Sequence, residues 1–154
     1  MTTMTEQTTQ VYSVFIRATP EEVWDAITKP EFTVKYFYGS SVESTWEPGA
    51  PLEGWAADHS MQLVDGKILD ADRPRLLRHT WRALYDPETA AEQHSRVTWE
   101  IEEQDGGVTK LTVVHDELEA APKTAASVAG GWMFVLSGLK TLLETGEPLT
   151  SQQM

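Results

Sequence analysis

The sequence predicts an α+β domain: a curved antiparallel sheet of six or seven strands wrapped around one long C-terminal helix, with two short helices after the first strand. Three observations predict it. Residues 19–30, "TPEEVWDAITKP", open with a capping-box spacing and stop at a proline, which defines a short helix early in the chain. From residue 41 to 117 the apolar period is two, the mark of half-buried strands joined by meander-length turns. From residue 124 to 145 the period becomes 3.6 and stays there.

Each element follows from its residues. "VYSVFIRA" (11–18) is β-branched and aromatic and reads as the first strand. In the helix that follows, Thr19 and Glu22 have capping-box spacing, Pro20 takes the first helical position, and Pro30 ends the helix after Lys29. "PEFTVKYFYG" forms a second short helix ended at Gly39. "SVESTW" (41–46) alternates, "WEPG" (46–49) turns, and "MQLVDGKILDA" carries Asp65-Gly66, a hairpin cue between apolar runs. "RLLRHTWRA" (75–83), "SRVTWEIEE" (95–103) and "VTKLTVVHDEL" (108–118) complete the meander, with a polar loop, "YDPETAAEQH", after the first of them. At 100° per residue, Val128, Trp132, Val135, Leu136, Leu139, Leu142 and Leu143 of the last helix fall in an arc of about 120°. Gly146 ends that helix.

With 154 residues the chain suits one domain, spanning 11–149, with polar tails at 1–10 and 150–154. The absence of cysteine excludes disulfides, thiolate metal sites and thiol nucleophiles. "MTTMTEQTTQ" lacks the basic and apolar regions of a signal peptide, and no apolar run approaches the roughly 20 residues of a membrane span. The expectation is a soluble cytoplasmic protein. A net charge of −12 repels phosphate backbones and anionic headgroups, which argues against nucleic acid or a membrane as partner.

Side-chain parity selects the candidate site residues. His79 shares a strand face with Leu77 and Trp81, and His115 shares one with Leu111 and Val113. Both imidazoles point inward, either as polar contacts for a bound molecule or as hydrogen-bonded core residues. Neighbours on a strand face oppositely, so "HDE" (115–117) does not converge, and Arg78 faces away from His79. Trp81, Trp99 and Trp132 fall on inner faces, as core or as cavity wall. Trp46 and Trp55 sit near turns, at a place suited to a cavity mouth. Gly131 and Gly138 lie together at the edge of the helical stripe. Each is a mid-helix residue that costs about 1 kcal/mol against alanine. They leave room for a ligand or allow close packing. Phe37 belongs to an aromatic segment suited to a lid. No histidine or carboxylate spacing supports a metal, and no cofactor is expected. Met133 and Phe134 lie off the stripe, where they suit a homodimer or a protein partner.

Six stretches in order carry a resemblance: "IRATPEEVWDAITKPE", "WEPG", "DGKILDADRPRLLRHTW", "SRVTWEIEE", "TKLTVVHDEL" and "GGWMFVLSGLKTLLETGEP". They resemble the START-like superfamily with its helix-grip fold, in the branch of Hsp90 ATPase activator homologues. The resemblance implies a deep cavity between the C-terminal helix and the sheet, which relatives use for lipids, sterols, plant hormones and polyketide intermediates. The family name alone does not make this chain an Hsp90 activator. The leading reading is a non-enzymatic module holding a small hydrophobic molecule. Its apolar wall would be Trp81, Trp99, Trp132, Val135, Leu136 and Leu139, with His79 and His115 as polar contacts. An enzyme similar to the aromatase/cyclases, relaying protons through those histidines, and a co-chaperone-like or regulator-like interaction module stand beside it.

Overall fold

The computed structural model describes residues 8–150. Of the tails expected at 1–10 and 150–154, residues 1–7 and 151–154 lie outside the described residues. In chain order the elements are β1 (Gln10–Ile16), α1 (Pro20–Thr28), α2 (Pro30–Tyr36), β2 (Ser40–Glu43), β3 (Pro51–Ala56), β4 (Gln62–Asp72) and β5 (Leu76–Ala83). They continue through α3 (Pro87–Ala90), β6 (Ser95–Glu103), β7 (Thr109–Asp116), α4 (Pro122–Val128) and α5 (Gly131–Thr145). The seven strands form one antiparallel sheet in the order β1-β7-β6-β5-β4-β3-β2, curled into a half-barrel that holds the C-terminal helix. Among the described residues no single helix is long and apolar enough to cross a membrane.

The local signals act as expected at α1. The Thr19 hydroxyl accepts from the Glu22 backbone N–H, and the Glu22 carboxylate accepts from the Thr19 N–H. Together they satisfy two donors that the first helical turn leaves open. Parity on the strands also holds. Leu77, His79, Trp81, Val97, Trp99, Ile101, Leu111, Val113 and His115 are all buried, and pack with Trp132, Val135, Leu136 and Leu139 of α5. On the outer face, Arg96 and Asp116 stand opposite each other across β6 and β7 and form a two-pronged ion pair at 2.7 and 2.9 Å. Arg78 likewise lies outside, on Asp70 and Thr98.

Five expectations need correction. The first strand begins at Gln10, whose side chain is buried. The Asp65-Gly66 step is not a hairpin: β4 runs through it, with Asp65 opposite Glu53 on β3 and Arg82 on β5. A turn forms at such a pair only when its two flanks pair with each other. Here both flanks pair outward, and Gly66 is needed because a Cβ there would overlap the Thr80 carbonyl oxygen. The strand assigned to 41–46 is shorter, while 51–56 forms β3, so Trp55 belongs to a strand and stacks on His59 away from the main cavity. The polar loop after β5 contains one short helix, α3, capped by Asp86.

The fifth correction concerns the last helix. It is two helices, α4 and α5, bent by 40° at Ala129-Gly130. The Gly130-Gly131 pair weakens the join, and side chains from β1 hold the end of α4. Gln10 Nε2 donates to the Ala125 carbonyl at 2.9 Å, and the Tyr12 hydroxyl donates to the Ala129 carbonyl at 2.7 Å. At its other end α4 has no cap of its own. The Glu92 carboxylate supplies one, accepting from the backbone N–H groups of Lys123 and Thr124 and from the Thr124 hydroxyl. Burial opposes ionisation of Glu92, yet these bonds hold it below the ordinary carboxylate value. The bend moves Gly131 from mid-helix to the first position of α5.

Candidate functional site

The bend opens a cavity of about 420 Å³ between α4, α5 and the sheet. Phe37, Tyr38 and Ser40 line it from the α2–β2 connection, Leu63 and Val64 from β4, and Trp81 and Tyr85 from β5 and the loop after it. Ser127 and Val128 contribute from α4, and Gly131, Trp132 and Val135 from α5. The mouth is marked by Tyr38 and Tyr85, both about half exposed. Burial first, and then the neighbouring Tyr85 charge, push the Tyr38 phenol above its ordinary value. Tyr38 stacks on Phe134 with centroids 5.3 Å apart, so part of the apolar surface seen off the helical stripe belongs to the rim. A second, much smaller void of about 10 Å³ shares Phe37 and Trp81 with the first and is lined also by His79, Trp99 and Trp46.

Of the residues expected at the site, Phe37, Trp81, Gly131, Trp132 and Val135 line the main cavity. His79 and Trp99 reach only the small void. His115, Leu136, Leu139 and Gly138 line neither and are core. The two glycines therefore separate. A Cβ on Gly138 would lie 3.1 Å from the Tyr36 Cβ, so this glycine lets α5 close on α2. A Cβ on Gly131 would meet only the Tyr38 hydroxyl, at 3.5 Å, beside the mouth. Trp46 borders the small void, not the mouth. Tyr38, Ser40, Leu63, Val64, Tyr85, Ser127 and Val128 were not read as site residues. Tyr38 sits in the aromatic segment already suited to a lid, and Val128 on the helical stripe, whereas nothing in the sequence marks Tyr85 or Ser127.

The histidines are held in one protonation state by their partners. Trp99 Nε1 donates to His79 Nε2 at 3.0 Å, so His79 carries its proton on Nδ1 and donates it to the Thr80 carbonyl at 2.9 Å. Trp132 Nε1 donates to His115 Nδ1 at 3.0 Å, which puts the His115 proton on Nε2, facing Ser95 Oγ at 2.7 Å. Ser95 in turn donates to the Trp81 carbonyl at 3.2 Å. Burial pushes both imidazoles down to about 4, and for His115 the neighbouring His79 adds to the effect. The Ser95–His115 pair has the spacing of a nucleophile and its base. Its proton runs the wrong way: the imidazole donates to the hydroxyl and has no lone pair to take the serine proton. Both histidines are fully bonded, neutral core residues.

Three inward tryptophans thus behave differently. Trp99 and Trp132 each give an N–H to a histidine, but Trp81 Nε1 is buried with no hydrogen-bond partner, alone among the described side chains. Such an orphan donor costs about 1–3 kcal/mol.

A curled seven-stranded antiparallel sheet gripping a C-terminal helix is the helix-grip architecture of the START-like superfamily. The chain belongs to the family described as Activator of Hsp90 ATPase homolog 1-like protein, whose model matches residues 17–144. Among solved structures it is similar to an HSP90 activator from Plasmodium falciparum, at 19% identity and TM-score 0.70, covering 92% of this chain and 98% of that one. The Aha1 dimer from Colwellia psychrerythraea is similar at 15% identity and TM-score 0.69, covering 90% and 97%. CalU16 from Micromonospora echinospora is similar at 20% identity and TM-score 0.69, covering 90% and 77%. At these identities the likeness is one of fold. No curated protein matches the sequence.

Proposed function

We propose that this protein is a binding module that takes one small, largely apolar molecule into the cavity under α4 and α5, without chemistry on it. The observation that carries the reading is a space of about 420 Å³ walled by Phe37, Trp81, Trp132, Val64, Val128 and Val135, with the hydroxyl-bearing residues Tyr38, Tyr85, Ser40 and Ser127 also in its lining. Apolar walls with a few placed polar groups are the composition of ligand pockets, and the volume is in their range. The closed hydrogen bonding of His79 and His115 supports binding over acid–base catalysis.

The test is titration with Nile red, an uncharged fluorescent hydrophobe, against the wild type and Gly131→Leu. The variant places a side chain at the mouth, where the backbone has room for a Cβ. Saturable binding at one site, weakened at least about tenfold in Gly131→Leu with the fold intact, is the expected result. Binding that is absent, or indifferent to Gly131→Leu, would refute the reading. The protein would then work through its exterior, as a homodimer or on a protein partner.

A further inference from the structure

We propose that Tyr38 and Tyr85 select the ligand: their hydroxyls hold an oxygen acceptor, such as a ketone carbonyl, at one end of a molecule whose apolar remainder fills the cavity. The proposal rests on the binding reading above and adds the ligand's chemistry and the direction in which it lies.

The direction follows from where free hydrogen-bonding side chains are found. Away from the mouth there are none. Trp132 gives its indole N–H to His115, the Trp81 N–H is buried out of reach, and Ser40 donates its hydroxyl proton to the Phe37 carbonyl. Leu63, Val64 and Val135 offer only apolar side chains. A ligand oxygen placed among them would lose its water and gain no side-chain donor.

At the mouth the position reverses. Tyr38 is about half exposed, and its hydroxyl has no hydrogen-bond partner among the described residues. The Tyr85 hydroxyl meets only Ser127 Oγ, at 3.5 Å, beyond the usual range for two hydroxyls. Both phenols line the cavity, and each is a donor still to be used.

Tyr38 is also set in place against its own preference. Its φ is 52°, in the left-handed region that a bulky side chain rarely adopts. The ring lies on Phe134 of α5, with centroids 5.3 Å apart at 25°, and the hydroxyl is 3.5 Å from the point where Gly131 would carry a Cβ. A large residue on a strained backbone and a helical residue without a side chain therefore meet at one point of the rim. Strain of this kind gathers at binding sites, and a half-exposed ring with an unbonded hydroxyl gives it no purpose in the core. Stacking on Phe134 holds the phenol still, so an acceptor that reaches it has little further ordering to overcome.

The experiment uses two molecules of nearly one shape, 2-acetylnaphthalene and 2-ethylnaphthalene, of which only the first carries a carbonyl oxygen. Each is titrated against bound Nile red on the intact chain, on Tyr38→Phe, on Tyr85→Phe and on the double variant, with the Nile red affinity measured for every protein. Phenylalanine keeps the ring and removes only the hydroxyl. The ketone is expected to lose about fivefold in each single variant and at least about tenfold in the double variant, the worth of one and two hydrogen bonds. The hydrocarbon should change by less than about twofold throughout. Equal changes for ketone and hydrocarbon, or displacement of Nile red by neither, overturn the proposal and leave the binding reading standing. Absence of Nile red binding to the wild type overturns both.

Discussion

Lowering the pH from 7.5 to 5 should cost this protein much of its stability, through His79 and His115. In the folded chain both imidazoles protonate only at about 4, because they are buried and one nitrogen of each accepts a tryptophan N–H. In the unfolded chain they protonate at the ordinary value of 6.5. Between those values the unfolded state binds more protons, so stability is complete above 6.5 and falls as pH drops toward 4. At pH 5 the difference is about 2 kcal/mol for each imidazole, or roughly 4 kcal/mol together. Set against the 5–15 kcal/mol typical of a domain, that is a large fraction.

Urea unfolding at pH 7.5, 6 and 5 reads this directly. With a slope of about 2 kcal/mol per molar, the midpoint should fall by roughly 2 M between the extremes. The carboxylates held low by their partners, Glu43, Asp65, Glu92 and Glu144, start from ordinary values of 3.8 to 4.5, so they lose their contribution below this window. Replacing both histidines by glutamine should remove most of the pH slope, whatever it does to stability at pH 7.5. A flat midpoint in the wild type, or an unchanged slope in the double variant, would refute the assignment of neutral, locked imidazoles.

Two further outcomes follow from the helix junction and α5. Gly138→Ala should lose about 1–2 kcal/mol despite the better helix propensity of alanine, because its Cβ meets Tyr36, whose hydroxyl is tied to the Ala26 carbonyl. Gly131→Ala should stay within about 0.5 kcal/mol of wild type, and thermal unfolding of the pair separates the two roles. Glu92→Ala should cost about 1 kcal/mol by uncapping α4, with hydrogen exchange accelerating at Lys123 to Val128 ahead of α5.

Much of the architecture was legible because it is written in local patterns. The capping box at Thr19 and Glu22 needs only four residues, and the inward set Leu77, His79, Trp81 follows from strand parity alone. Chain order and the α+β class followed from the change of period from two to 3.6. Where the reading failed, the deciding partner was distant in sequence. Asp65-Gly66 has the chemistry of a turn, but whether it turns depends on Glu53 and Arg82 lying alongside. The last helix has an unbroken apolar period, but it bends where Gln10 and Tyr12 reach the carbonyls of Ala125 and Ala129.

The site divides the same way. By itself the sequence determined which side chains face inward, since facing is a property of one strand or one helix. Only the tertiary structure decided which of them have partners. Tryptophan N–H groups at 99 and 132 found histidine nitrogens some twenty residues away, and the one at 81 found none. Hydrogen bonding among buried groups is settled by distances of a few tenths of an ångström between separate elements, and no periodicity within one element encodes them.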